Sequence, residues 1–152
     1  MAETVVSPEM KEFVASGQPI VEFDDVSIGF DGHEVLSNVS FKVAHGETRI
    51  LLGPAGGGKS VLMKLANGLI EPDSGEIRVF GRSLQDMTEN ELFEMRAHVG
   101  MVFQESALFD SLDVEDNVAY RLEEEHVDPK EIRERVLEAL RFVELELSLI
   151  HI

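Results

Sequence analysis

Gly53-Pro54-Ala55-Gly56-Gly57-Gly58-Lys59-Ser60 is the stretch from which the rest of this chain is read. It fits G-x-x-x-x-G-K-[ST], a glycine loop that cradles phosphate. Its flanks agree with that reading. Thr48-Arg49-Ile50-Leu51-Leu52 is a short apolar run suited to a buried strand. After the loop, Val61, Leu62, Leu65, Ala66 and Leu69 recur at helical spacing as far as the stop at Pro72. Strand, glycine loop and helix together turn a pattern into a physical site. The glycines let successive N–H groups face one anion at the positive end of a helix dipole. Lys59 brings a point charge for the β- and γ-phosphates, and the Ser60 hydroxyl is placed to ligate Mg²⁺. A glycine-rich turn with an incidental Lys-Ser is the plain alternative, and the agreement of loop and flanks argues against it.

The 152 residues suffice for one domain with a real core. At 43% hydrophobic and 28% charged, the composition is that of a globular protein. No apolar run approaches the roughly 18 to 20 residues of a membrane span, and Met1-Ala2-Glu3-Thr4 does not open a secretory signal. Without cysteine there are no disulfides or thiolate metal sites, which fits a cytosolic protein. A net charge of −17 argues against general binding to nucleic acid or to an anionic membrane surface.

Residues 1–18 read as a flexible tail, in which Met10, Phe13 and Val14 can form a short amphipathic turn. Ile20–Phe23 and Val26–Phe30 read as strands, followed by a turn at Asp31-Gly32. Val39–Val43 alternates before a second turn at His45-Gly46. Phe30 is either a core aromatic or a platform for a nucleotide base. Glu76–Phe80 returns as a strand after the turn cluster Glu71–Gly75. Thr88-Glu89-Asn90-Glu91 is a capping box that starts a helix carrying Leu92, Phe93 and Met95. Val99–Phe103 reads as a second buried strand, ending at Gln104. Ser106–Leu112 is loop-like yet apolar, through Ala107, Leu108, Phe109 and Leu112, and is either an interaction surface or a loop over its own core. Asp113 caps a helix through Val118, Ala119, Tyr120 and Leu122. Asp128 caps the last helix, with Pro129 first inside it and Glu131 completing a box. Its stripe is Ile132, Val136, Leu140 and Val143, with Glu131–Arg135 and Glu134–Arg141 as charge pairs elsewhere on its surface.

Taken together, four stretches resemble the ATP-binding subunits of ABC transporters and cover most of residues 20–145. They are Val26–Glu47, with Phe30 at the position of the family's adenine-stacking aromatic; the phosphate loop; Leu65–Ile77; and Arg96–Gln104, which looks like the approach to the family's Q-loop. A narrower resemblance, in Gln104–Leu112 and Val114–Tyr120, is to the ATPase of Mce-type phospholipid transporters; other bacterial ABC importer ATPases are built similarly here. The resemblance implies an α/β fold: a parallel P-loop core, an N-terminal antiparallel β-subdomain and the start of a helical subdomain. It implies ATP and Mg²⁺ as ligands, held by Phe30, Gly53, Pro54, Ala55, Gly56, Gly57, Gly58, Lys59, Ser60 and Val61. Ser60 and Gln104 would contact the metal, Gln104 also sensing the γ-phosphate and the attacking water. It further implies a second ATPase subunit, membrane-embedded permease subunits reached through the Q-loop region, and a place on the inner face of the cytoplasmic membrane. Ala55 stands where the family often has Ser. No Leu-Ser-Gly-Gly signature and no apolar strand ending in Asp-Glu follow Gln104, so no catalytic carboxylate is expected in this sequence. Residues 19–146 therefore read as a partial ATP-binding domain, and 147–152 as a truncated or non-native end. A nucleotide-binding fragment without turnover is the rival reading.

Overall fold

Alternating residues around two tight turns build the sheet. β1 (Val21–Phe30) runs into Asp31-Gly32 and returns as β2 (His33–Val43), pairing antiparallel from Phe30 with His33 to Val21 with Val43. Both turn residues have positive φ, 53° and 78°, which matches the right-handed twist of the hairpin strands. The two strand runs expected on either side of Asp24-Asp25 form one strand, bent where Asp25 takes φ 53° and the register shifts. β3 (Ser74–Val79) lies antiparallel on the other edge of β1, and the short β4 (Arg82–Ser83) pairs with β3. The strand order is β2-β1-β3-β4.

The computed structural model describes residues 8–103 and 107–145. These divide into two compact units, with the boundary between Gly100 and Met101. In the first, the sheet carries Phe23, Val26, Ile28, Leu36, Ile77 and Val79 inward, against Leu65 of α2 (Lys59–Ala66) and Leu92 and Met95 of α3 (Glu89–Arg96). Phe23 stacks on Phe41 at 4.6 Å. Leu84, in a single 3₁₀ turn (Leu84–Asp86), completes this core. The Thr88–Glu91 capping box forms as expected, and Arg82 adds an ion pair to Glu91. Phe93 points outward rather than into the core. The stretch read as a tail contains α1 (Pro8–Ala15), a two-turn helix whose Phe13 stands edge-on to Phe80 at 6.2 Å.

Two expected strands do not form. Thr48–Leu52 has no strand partner among the described residues, with Ile50 73% and Leu52 91% exposed. Val99–Phe103 likewise lies outside the sheet, Val102 being 90% exposed. The sheet that forms is antiparallel throughout, and neither run meets a parallel neighbour among the described residues, without which a strand's N–H and C=O groups have no ladder to join. An open cavity of about 260 Å³, lined by Phe23, Phe41, Leu51, Leu62 and Met63, marks the apolar face left beside α2.

The second unit holds α4 (Val114–Glu124) and α5 (Pro129–Phe142), packed through Ala119, Val136 and Leu140. Asp113 caps α4 through the Asp116 amide at 2.8 Å. Asp128 caps α5 through the Lys130 amide at 2.9 Å. The box expected there is not made: Glu131 turns along the helix to Arg135 instead of back to the cap. Val143 ends the expected stripe exposed, beyond the last helical residue.

Candidate nucleotide site

The residues from Gly53 to Ser60 form a curled loop that feeds straight into α2. Gly57 donates to the Pro54 carbonyl at 3.1 Å, closing the turn. Gly56 and Gly58 sit at φ 76° and 80°. Gly58 is needed twice over. Its backbone is left-handed, and a Cβ there would stand 2.7 Å from Leu36 Cδ2 and 3.3 Å from Val35 Cγ1. The loop's end is thereby seated on β2.

The cap of α2 is what makes the loop receptive. Gly58 has no side chain to bond the first amides, and the first helical bond runs from Leu62 N–H to Gly58 O at 3.0 Å. The N–H groups of Gly58, Lys59, Ser60 and Val61 consequently have no acceptor among the described residues. Four adjacent donors at a helix N-terminus are suited to a phosphate oxyanion. No acidic residue stands in that first turn to compete.

Lys59 reaches back over its own loop. Its Nζ donates to the carbonyls of Gly53 at 2.9 Å and Pro54 at 2.6 Å. An ammonium has three donors, so it can brace the loop with two and keep one for an anion. Ser60 is exposed in the first helical turn. Among the described residues no group of three or more His, Asp or Glu side chains could hold a metal by itself. A Mg²⁺ here would suit the chemistry of a hard cation that arrives with phosphate and keeps several waters, taking one oxygen from Ser60. Gln104, its other expected protein ligand, lies outside the described residues.

Phe30 is 45% exposed at the open end of β1, so it is an accessible ring rather than a core aromatic. It lies two residues, about 7 Å of strand, beyond Ile28, which pairs with the Leu36 that underlies Gly58. Asp73 pins this end of β1, accepting from Gly29 N–H at 2.7 Å and donating its own N–H to Ser27 O at 2.9 Å. The turn cluster around Asp73 and the strand Val26–Phe30 were both legible, but not that the one grips the other.

In the second unit, Asn117 organises the apolar loop. Its Oδ1 accepts from Phe109 N–H at 2.8 Å, and its Nδ2 donates to the carbonyls of Phe109, Leu112 and Asp113. Phe109, 47% exposed, lies against Tyr120 at 4.7 Å, and Leu108 is exposed beside it.

A glycine loop whose last four amides have no acceptor among the described residues, with a lysine braced across it and a helix behind it, has the form of a P-loop protein. Its family can be stated as well. The ABC transporter family description matches residues 36–150, and the chain belongs to that family. Among curated relatives, the spermidine/putrescine import ATP-binding proteins PotA of Vibrio vulnificus and Legionella pneumophila are each 40% identical, over 131 and 129 residues. Those alignments cover 86% and 85% of this chain but 33% and 34% of the relatives, so the chain spans about a third of their length. Among solved structures, cbiO1 of Clostridium perfringens, part of the transporter complex cbiONQ, superposes with a TM-score of 0.74 at 29% identity. That match covers 85% of this chain and 52% of cbiO1. The ATP-binding cassette MJ0796, a dimer bound to ADP and Pi in a post-hydrolysis state, gives 0.72 at 28% identity, covering 82% of this chain and 57% of that one. The fold class is that of ABC ATPases: an antiparallel sheet with helices in an α/β arrangement. No helix among the described residues is long and apolar enough to cross a membrane.

Proposed function

We propose that this chain binds MgATP at residues 53–60 and, within a complete ATPase, serves to couple ATP hydrolysis to transport. The observation that carries this is the row of four amides, Gly58 to Val61, with no acceptor among the described residues, in a loop whose Gly53 and Pro54 carbonyls hold the Lys59 ammonium. The β- and γ-phosphates would sit on those amides, with Lys59 as the nearest cation and Ser60 and Gln104 on Mg²⁺. Phe30 would stack on adenine. Phosphoryl transfer needs mostly positioning and charge stabilisation, and this loop supplies the positioning. The water-orienting carboxylate and the signature stretch are not in this sequence, so phosphate release by the 152-residue chain should stay at background.

In the complete assembly a second ATPase subunit would close over the nucleotide. Membrane-embedded permease subunits would dock near the Q-loop and hold the ATPase at the inner face of the membrane. The half-exposed Phe109 and the exposed Leu108, on a loop pinned by Asn117, suit such a docking groove.

Two transported substrates compete. The stretches Gln104–Leu112 and Val114–Tyr120 favour phospholipid transport across the bacterial envelope, while the names of the curated relatives favour polyamine import. The test is reconstitution of the full-length ATPase with its co-purified membrane subunits in phospholipid vesicles. Movement of a fluorescent phospholipid upon ATP addition supports the first reading. Spermidine uptake without lipid movement replaces it with the second.

A further inference from the structure

The turn that ends the phosphate-loop helix is held by a residue 28 and 29 positions beyond the two carbonyls it grips. After α2, Asn67 N–H and Nδ2 both donate to Met63 O, at 3.2 and 2.8 Å, and Leu69 N–H donates to Lys64 O at 2.9 Å. The carbonyls of Asn67 and Gly68 turn towards α3. Arg96, its last residue, donates Nε to Asn67 O at 2.9 Å and Nη2 to Gly68 O at 2.6 Å. Gly68 is left-handed at φ 60°, and a Cβ there would come within 2.9 Å of Leu92 Cδ2. α3 therefore lies directly on the turn that ends α2, and its guanidinium closes that end.

α2 has eight residues, about 12 Å of helix. A helix that short is marginal without support from its surroundings. A cation at its C-terminus and an anion at its N-terminus stabilise the same helical conformer through the dipole. Two ligands of one conformer strengthen each other by linkage, reciprocally.

Resting on the reading of residues 53–60 as a phosphate loop, we propose that Arg96 is a positioning residue for nucleotide. It holds α2 in the phosphate-ready form and passes phosphate occupancy to the last turn of α3 and the exit through Ala97, His98 and Val99. Those three amides close the turn, donating to the carbonyls of Phe93, Met95 and Arg96. They are also the start of the segment that leads to Gln104.

The experiment is amide hydrogen exchange and thermal melting of the 152-residue chain with and without MgATP, in wild type, Arg96→Met, Arg96→Lys and Lys59→Ala. In wild type, MgATP slows exchange both in the loop and at residues 97–99. Arg96→Met weakens MgATP binding about three- to tenfold, the scale of a charge at a helix end. At saturating MgATP it still protects the loop but not residues 97–99, and the MgATP-induced rise in melting temperature shrinks. Arg96→Lys, a point charge able to meet one carbonyl, restores part of both effects and serves if Arg96→Met does not fold. An equal fall in melting temperature with and without MgATP, with residues 97–99 still protected, reduces Arg96 to a structural prop and overturns the proposal. If wild type gains no protection anywhere, or Lys59→Ala gains as much as wild type, the loop reading itself has failed and takes this inference with it.

Discussion

The β1–β2 hairpin and the run Thr48–Leu52 are both apolar, and both read as strands, but only the hairpin forms. β1 finds β2 through a two-residue turn and β3 from far along the chain, and buries Phe23, Val26 and Ile28. Thr48–Leu52 ends in three consecutive large apolar residues and leaves Ile50 and Leu52 in solvent. The contrast shows that a strand is a relation between segments. Both partners of β1, the near β2 and the distant β3, are antiparallel, whereas Thr48–Leu52 meets no strand neighbour among the described residues, and a parallel strand needs one brought by a crossover. Val99–Phe103 sits on the same side of that divide.

The sharpest way to break the comparison is to truncate one residue on each side of it. Phe23→Ala removes a buried ring stacked on Phe41 and should cost about 3–5 kcal/mol in urea unfolding. A cost below about 1 kcal/mol would mean the hairpin core is not what holds the first unit. Thr88→Ala removes the cap of α3, and a loss of about 1 kcal/mol is expected by the same measurement. The smallest effect belongs to the unpaired run: Leu52→Ala should stay within about 0.5 kcal/mol of wild type. A large loss there would place Leu52 in a core and erase the contrast.

The same cap makes a prediction in pH. The Thr88 backbone N–H, then the Thr88 hydroxyl and the Arg82 guanidinium, hold the Glu91 carboxyl below the ordinary glutamate range. A pKa depressed on folding adds stability above the unfolded value, about 4.3 for glutamate, and loses it as pH falls through the folded value. The stability gap between wild type and Glu91→Gln should therefore be full at neutral pH and close on acidification below that range. A gap that widens in acid would reverse the sign and remove the capping box as its cause.

What the sequence made legible was local. The Asp31-Gly32 turn, the Thr88–Glu91 box, the Asp113 cap and the glycine loop that opens α2 each declare themselves within a few residues. The cap at Asp128 was legible too, but not which amide it takes, because Glu131 had an equally local partner in Arg135. What stayed hidden joins distant positions. Arg96 grips the turn after α2, Asp73 grips β1, and Asn117 gathers a loop through four bonds of one side chain. None of these carries a periodicity or a motif. Phe30 lay between the two cases: no local signal told that it would stand exposed at the end of β1.

Calorimetric titration of MgATP into the 152-residue chain, wild type beside Lys59→Ala, tests the central claim most directly. A charge-assisted hydrogen bond contributes about 1.5–3 kcal/mol, and each 1.4 kcal/mol is about tenfold in affinity. Lys59→Ala should accordingly bind MgATP about ten- to a hundredfold more weakly, with Lys59→Arg rescuing little because its planar head needs a different geometry. Equal affinity for wild type and Lys59→Ala would contradict the assignment of Gly53–Ser60 as the nucleotide site.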